Sequence, residues 1–371
     1  MRVDIIQDIE GFKKLKEAWN YLAASSRDTT PFHTFAWNKT WWEVYGTKRR
    51  LFVILVYSQA RLVAIFPLMI SLESIGICSI HKMQFIGVGK SDYLGPILAG
   101  DPETLWLHAV EAIYDHRCLW DVVEFRRMRV VSNAFQGLQK VLTGYKRMKL
   151  ITRKDKHCHG CPAIIIKGTW EEYYKERLSK HARKKFREKY SRLKRKGKLS
   201  FFESTGNKTL PDFLDEMAKV EHASWKGLEK TGFFGHKKDR EFMIRICLAF
   251  ADLGWLSIFA LRLDRRLLSY RIGFNYVNRY YLYSSAYDPE FKKYSLGILL
   301  LKYTIQKCFD KGNNEYDFGQ GEQQFKLDWS NNLWEINKVL LFHSKWLSSM
   351  CFMFEKHLYP RAVALKQKLE K

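Results

Sequence analysis

The feature that most limits how this chain can fold is an internal echo. Residues 51–68, LFVILVYSQARLVAIFPL, and residues 256–274, LSIFALRLDRRLLSYRIGF, each read as a strand, a short polar turn and a second strand. Shifting the first copy from position 61 to position 266 lays Arg61-Leu62-Val63 on Arg266-Leu267-Leu268. Helix-like stretches precede both hairpins. Each hairpin is followed by a helix and a further strand, WDVVEFRRM at 120–128 and NEYDFG at 314–319. A repeated α/β unit predicts two domains in tandem, residues 1–160 and 161–371, with the seam in the polar run RKDKHCHGCP at 153–162. With 371 residues, 46% of them hydrophobic, the chain can fill two cores.

The apolar runs are too short to span a bilayer, and Pro67 interrupts that of Leu62–Ile70. Asp4, Asp8 and Glu10 stand where a signal peptide needs a basic start and an unbroken apolar stretch, so a cytoplasmic protein is expected. Seven scattered cysteines fit reduced thiols better than a disulfide framework. Cys158 and Cys161, flanked by His157 and His159, form a CxxC. Structural zinc needs a second ligand pair at matching spacing, none is near, and no metal is expected.

Charge is the second strong signal. The chain carries 63 Lys and Arg against 39 Asp and Glu, a net +24, which suits a polyanion, an anionic membrane face or a phosphate-rich substrate. Residues 177–198, RLSKHARKKFREKYSRLKRKGK, hold twelve of the cations and one acid. Leu178, Ala182, Phe186 and Leu193 recur there at helical spacing, predicting one amphipathic basic helix over 175–197. Its cations, Arg183 and Arg187 among them, are either a solvated face or a surface for tRNA, coenzyme phosphates or anionic lipid. Sequence-specific nucleic-acid readout is not expected, because the helix lacks a set of stacking aromatics.

The segment from Ser269 to Trp329 carries the chemistry. Tyr280–Ala286 reads as a strand, Tyr287-Asp288-Pro289 as a turn, and Ser295 as the N-cap of a helix. The backbone N–H groups of Leu296, Gly297 and Ile298 would then face an anion, with Lys292 and Lys293 adding charge. A capped helix whose glycine serves packing is the plainer alternative. Asp317 ends a strand beside Gly319 and Gly321, where α/β clefts often form, though a turn aspartate fits equally well. Asp288 and Glu322 are further candidate proton acceptors, with His222 as an outsider. Tyr280, Tyr281, Tyr283 and Tyr287 read as core and cleft wall.

Several segments together carry a family resemblance: PFHTFAWNKTWW at 31–42, LVAIFPL at 62–68, FIGVGKSDYLGPIL at 85–98, the basic helix, HASWKG at 222–227, AYDPEFKKYSLGILL at 286–300 and YDFGQGEQQFKLDW at 316–329. In this order they resemble the GNAT-type acetyltransferase domain of CelD-like cellulose-biosynthesis proteins, themselves similar to Fem-type aminoacyltransferases. The resemblance implies an α/β (α+β) fold of two tandem GNAT-like domains, each a mixed central sheet flanked by helices. It implies direct transfer of an acyl group, most simply acetyl, from acyl-CoA to an amine or hydroxyl of a small-molecule or lipid-linked saccharide acceptor. It marks Lys326 for oxyanion or phosphate stabilisation. Tyr287, Trp225, Asp92, Tyr93, Arg183 and Arg187 are the candidate substrate contacts. The chain departs from the GNAT donor signature, Gln or Arg, two residues, Gly, one residue, then Gly or Ala: Tyr294–Leu299 holds a single glycine. Two other readings therefore stay open, an aminoacyl-tRNA-dependent transferase and a non-catalytic component at the inner membrane face.

Overall fold

Strand β2 (Arg49–Ser58) buries six consecutive residues, Leu51 to Val56, the mark of a strand covered on both faces. This computed structural model describes residues 1–75, 78–154, 160–206, 209–229 and 231–359; the side chains of Ile75, Cys78, Trp225 and Leu228 lie outside the description, as do Cys158, His157 and His159 of the CxxC segment. The chain divides into two compact units, residues 1–159 with 334–371, and residues 160–333.

In the first unit, β1 (Arg2–Ile6), β2, β3 (Arg61–Ile75), β4 (Cys78–Phe85) and β6 (Val122–Arg129) lie side by side, with the short β5 (Ile97–Leu98) against β3. All these pairings are antiparallel except β4 with β6. The helix Pro102–Asp115 makes that parallel crossover. Asp101 caps it, accepting from Thr104 N at 2.8 Å, and Pro102 opens it where no N–H is needed. Its Leu105, Trp106, Ala109 and Val110 pack on Phe52, Ile54, Val56 and Phe66. Strand β7 (Lys149–Lys154) ends the unit's first pass.

In the second unit, β8 (Gly160–Ile165), β9 (Leu199–Ser204), β10 (Leu256–Leu263), β11 (Arg266–Tyr276), β12 (Arg279–Tyr287) and β13 (Glu315–Asp317) take the order β8-β13-β12-β11-β10-β9. Only β12 and β13 are parallel, joined by the helix Leu296–Asp310. The echo thus extends to topology. A hairpin, a third antiparallel strand, a helix and a parallel strand occur in both units, and each sheet is mixed.

The chain then returns to the first unit: β14 (Asn332–Phe342) pairs antiparallel with β6 and β7. The expected second domain of 161–371 is corrected here. Residues from Trp334 belong to the first unit, where Leu340 and Phe342 join Ile80 and Val122 in an apolar cluster. The basic helix over 175–197 is also corrected. It is two helices, Trp170–Arg177 and Lys180–Lys194, parted at Leu178, because Ser179 caps the second by accepting from Ala182 N at 3.1 Å. Leu193 is buried, and Ala182 and Phe186 pack on the core. Cys161 is buried in β8. No helix among the described residues is long and apolar enough to cross a membrane.

Candidate functional site

Two departures from regular pairing open the second unit's sheet. One is a bulge: Ile272 faces Ser284 and Gly273 faces Leu282, so Tyr283 is an extra residue in β12. Glycine is required at 273, since a Cβ there would meet the Tyr280 ring at 2.2 Å. The other is the shortness of β13, which pairs with β12 only from Arg279 to Tyr281. Beyond Tyr281, β12 has no strand partner on that side among the described residues, and residues 282–287 edge a cavity of about 590 Å³.

The cavity ends at the start of the helix Leu296–Asp310. Ser295 sits there in the left-handed conformation (φ 54°, ψ 49°) and its hydroxyl does not cap the helix. It lies 2.6 Å from Lys189 Nζ of the basic helix instead, which corrects the expected side-chain cap. Ile298 N donates to Ser295 O at 3.0 Å, so of the three expected free amides only those of Leu296 and Gly297 donate to no group among the described residues. A Cβ on Gly297 would meet only Tyr287 Cδ1, at 3.6 Å, so this glycine faces open space and not packed protein.

The charged side chains of the lining are all cationic: Lys226, Arg271, Lys292 and Lys326, with no carboxylate among the lining residues. Arg271 is 3% exposed. One Nη donates to Gly297 O at 2.8 Å, while Nε and the other Nη, both buried, make no hydrogen bond of good geometry. Buried donors of this kind call for an acceptor. Lys326, also buried, donates to the Gly319 and Gln320 carbonyls from the short helix Gln324–Trp329. Lys226 has Ser284 Oγ at 3.5 Å. Burial depresses the Lys226 pKa, Lys326 and Arg271 depress it further, and only buried Glu221 opposes them. An amine held this way releases its proton more readily than a free lysine.

Of the residues singled out from the sequence, Tyr287, Lys292, Ser295, Leu296, Gly297, Ile298 and Lys326 meet around this one cavity. Lys293 is exposed and does not line it. Asp317 does not reach it either. Its Oδ1 accepts from Gly319 N at 2.7 Å, the turn role. Asp288 is tied to Arg266 at 2.5 Å and to Glu290 N at 3.1 Å, so it caps a turn outside the cavity. Glu322 is exposed, and His222 holds the carbonyl of Ala218 at 2.7 Å. Tyr93 is buried in the first unit beside a half-buried Asp92. Arg183, half-buried, lies close enough for its charge to act on Tyr174 but does not line the cavity, and Arg187 lines a separate hollow with Tyr174, Tyr190 and Tyr303. The side chain of Trp225 is outside the description. Sequence reasoning missed Lys226 and Arg271. The signal for Lys226 was its place in HASWKG, beside the tryptophan that was chosen.

Residues 180–327 match a family model described as an acetyltransferase (GNAT) domain. No curated protein sequence matches the chain. Among solved structures, FemX is similar with a TM-score of 0.59 at 13% identity, over 91% of this chain and 97% of that one. A conserved protein of unknown function from Bacteroides thetaiotaomicron gives 0.57 at 11%, covering 92% and 100%. The C-terminal domain of a putative lysylphosphatidylglycerol synthetase from Agrobacterium fabrum gives 0.53 at 12%, covering 89% and 92%. At these identities the likeness is one of fold.

Proposed function

We propose that this chain, whose residues 180–327 match an acetyltransferase (GNAT) domain model, moves an acyl group from a phosphate-bearing acyl carrier, acyl-CoA, to an amine or hydroxyl of a cell-envelope or polysaccharide precursor. One observation carries this reading: the unpaired edge of β12 leads directly to the open amides of Leu296 and Gly297. An extended arm bearing amides can add to such an edge as a strand does, and a pyrophosphate suits a helix start flanked by Lys292. The space beside Gly297 fits that group despite the single glycine. The carrier supplies the activated acyl group. Lys226, in its neutral form, takes the proton from the incoming amine or hydroxyl as the new bond forms. Arg271 and Lys326 hold the negative charge that gathers on the carbonyl oxygen. When the bond to sulfur breaks, the thiolate leaves and the proton on Lys226 is returned to it or to solvent. The finer kinship, with CelD-like proteins and a saccharide acceptor, belongs to the same proposal, as does a site of action at the inner membrane face.

The test is coenzyme A binding by calorimetry, joined to the pH profile of acyl transfer from acetyl-CoA to a panel of amines and amino sugars. We expect binding that weakens at least tenfold in Lys292→Ala with Arg271→Met, and a rate that rises with pH through a pKa below the ordinary lysine range. No binding of coenzyme A, with no acyl transfer from it, would overturn the reading. The exposed cations of Lys180–Lys194 favour a second one, transfer from aminoacyl-tRNA. Salt-sensitive tRNA retention that is lost on charge reversal at Lys184 and Arg187 would support that instead.

A further inference from the structure

The last described stretch of the first unit presents an apolar ridge left exposed by the described residues. Helix Trp346–Met353 and the turn Phe354–Leu358 dock one side on the core through Leu347, Cys351 and Phe352. The opposite side leaves Trp346 72% exposed, Met350 53%, Met353 54%, Phe354 39% and Leu358 55%. Their spacing, i, i+4, i+7, i+8 and i+12, is that of a single helical face. Scattered exposed apolar residues need no explanation, but five within thirteen positions on one face do.

We propose that this ridge is a docking surface for an anionic lipid bilayer, with Trp346, Met350, Met353 and Leu358 entering the boundary between headgroups and acyl chains. The charges beside it decide the occupant. Lys345, Lys356 and His357 are exposed on the same segment, and Lys149 is exposed on neighbouring β7 with its ammonium 5.1 Å from the Phe352 ring. The one acid of the segment, Glu355, is paired with Arg153. The ridge is therefore apolar along its crest and cationic at its flanks, as a monotopic lipid contact requires. A second copy of the chain suits it less well, because a twofold contact would set these cations against their own copies. Tryptophan at one end suits the interfacial layer, where its ring is partly apolar and its N–H stays wet.

The test is co-sedimentation of the full chain with vesicles of phosphatidylcholine alone and of phosphatidylcholine with one quarter phosphatidylglycerol. The proposal expects binding to the anionic vesicles that weakens at least tenfold in the exposed-residue variant Trp346→Ser/Met350→Ser/Met353→Ser. It expects a drop of similar size in Lys345→Glu/Lys356→Glu. Sedimentation of both variants without vesicles should match the parent. The proposal is overturned by failure of the parent to bind, or by binding that survives the ridge variant but is lost on charge reversal of Lys184 and Arg187. A parent dimer that the ridge variant dissociates would also overturn it, making the ridge a contact between copies. None of these outcomes depends on acyl transfer, so the test is independent of the proposed reaction.

Discussion

Strands β3 and β11 open with the same step, Arg-Leu, and first differ in charge at their sixth residue: Phe66 in the first, Arg271 in the second. Phe66 is wholly buried, with its ring 4.8 Å from Trp106, and it contributes to a closed core. Arg271 is almost as buried, but two of its donor nitrogens make no hydrogen bond of good geometry, and a cavity lies beside them. The first unit holds a half-buried cation of its own. Arg129 lies between the rings of Tyr93 at 4.6 Å and Trp334 at 4.4 Å, beside a hollow of only about 20 Å³. One hairpin design thus serves two ends. Where the cation is closed off by aromatic faces it is structural, and where it opens on a void it can act on something that enters.

Five variants bear on that contrast, taken from the largest effect down. Arg271→Met, an apolar side chain of similar length, should lower kcat on the order of 10³-fold while the melting temperature stays or rises, since a buried charge without a full set of partners is removed. Lys226→Gln should give a similar kinetic loss and abolish the rising limb of the pH profile. A variant that keeps parental turnover would break the contrast. Phe66→Ala should do the reverse, costing about 3–5 kcal/mol in denaturant unfolding of the first unit, with kcat per folded molecule unchanged.

The fourth concerns His33, whose pKa burial and the charge of Arg129 lower to about 4. Its Nδ1 accepts from Thr30 N at 3.2 Å, so protonation breaks that bond. The unfolded chain takes up the proton near pH 6.5 and the folded one only near 4, so stability should be full above 6.5 and fall as pH drops between them. Melts from pH 7.5 to 4.5 should show a loss of up to about 3 kcal/mol, which His33→Gln flattens. The smallest effect is that of Gly297→Ala. Its added methyl enters the cavity without touching the core, so KM for the acyl donor should rise roughly tenfold, about 1.4 kcal/mol, with no loss of thermal stability.

Much of the fold was legible because the hairpins are written in apolar runs that nothing else in the chain imitates. The helix start beside the cavity was legible in part: Ser295, Leu296 and Gly297 stand where the turn signals placed them. Three things stayed hidden for physical reasons. The left-handed backbone of Ser295 arises from its setting, and no local rule distinguishes it from an ordinary cap. The break at Leu178 was obscured by a charge run that reads as helix on either side of the Ser179 cap. Lys226 and Arg271 look in sequence like any surface cation, and only the unpairing of β12 from β13 makes them face inward together. Asp317 misled in the opposite sense. A strand-end aspartate before glycines serves a cleft or a turn with the same spelling, and here Gly319 N holds it.

The return of β14 has a consequence for the order in which the molecule can be made. The second unit is one unbroken stretch, residues 160–333, and can close as soon as that stretch has left the ribosome. The first unit is synthesised earlier yet must wait longer, because β6 and β7 lack their shared neighbour until residues 332–342 emerge. During that interval each of the two strands shows a bare edge, the kind that recruits strands from other chains. A nascent chain stalled just after Leu333 would therefore carry the whole second unit and an unfinished, aggregation-prone first unit, the opposite of what their order in the gene suggests.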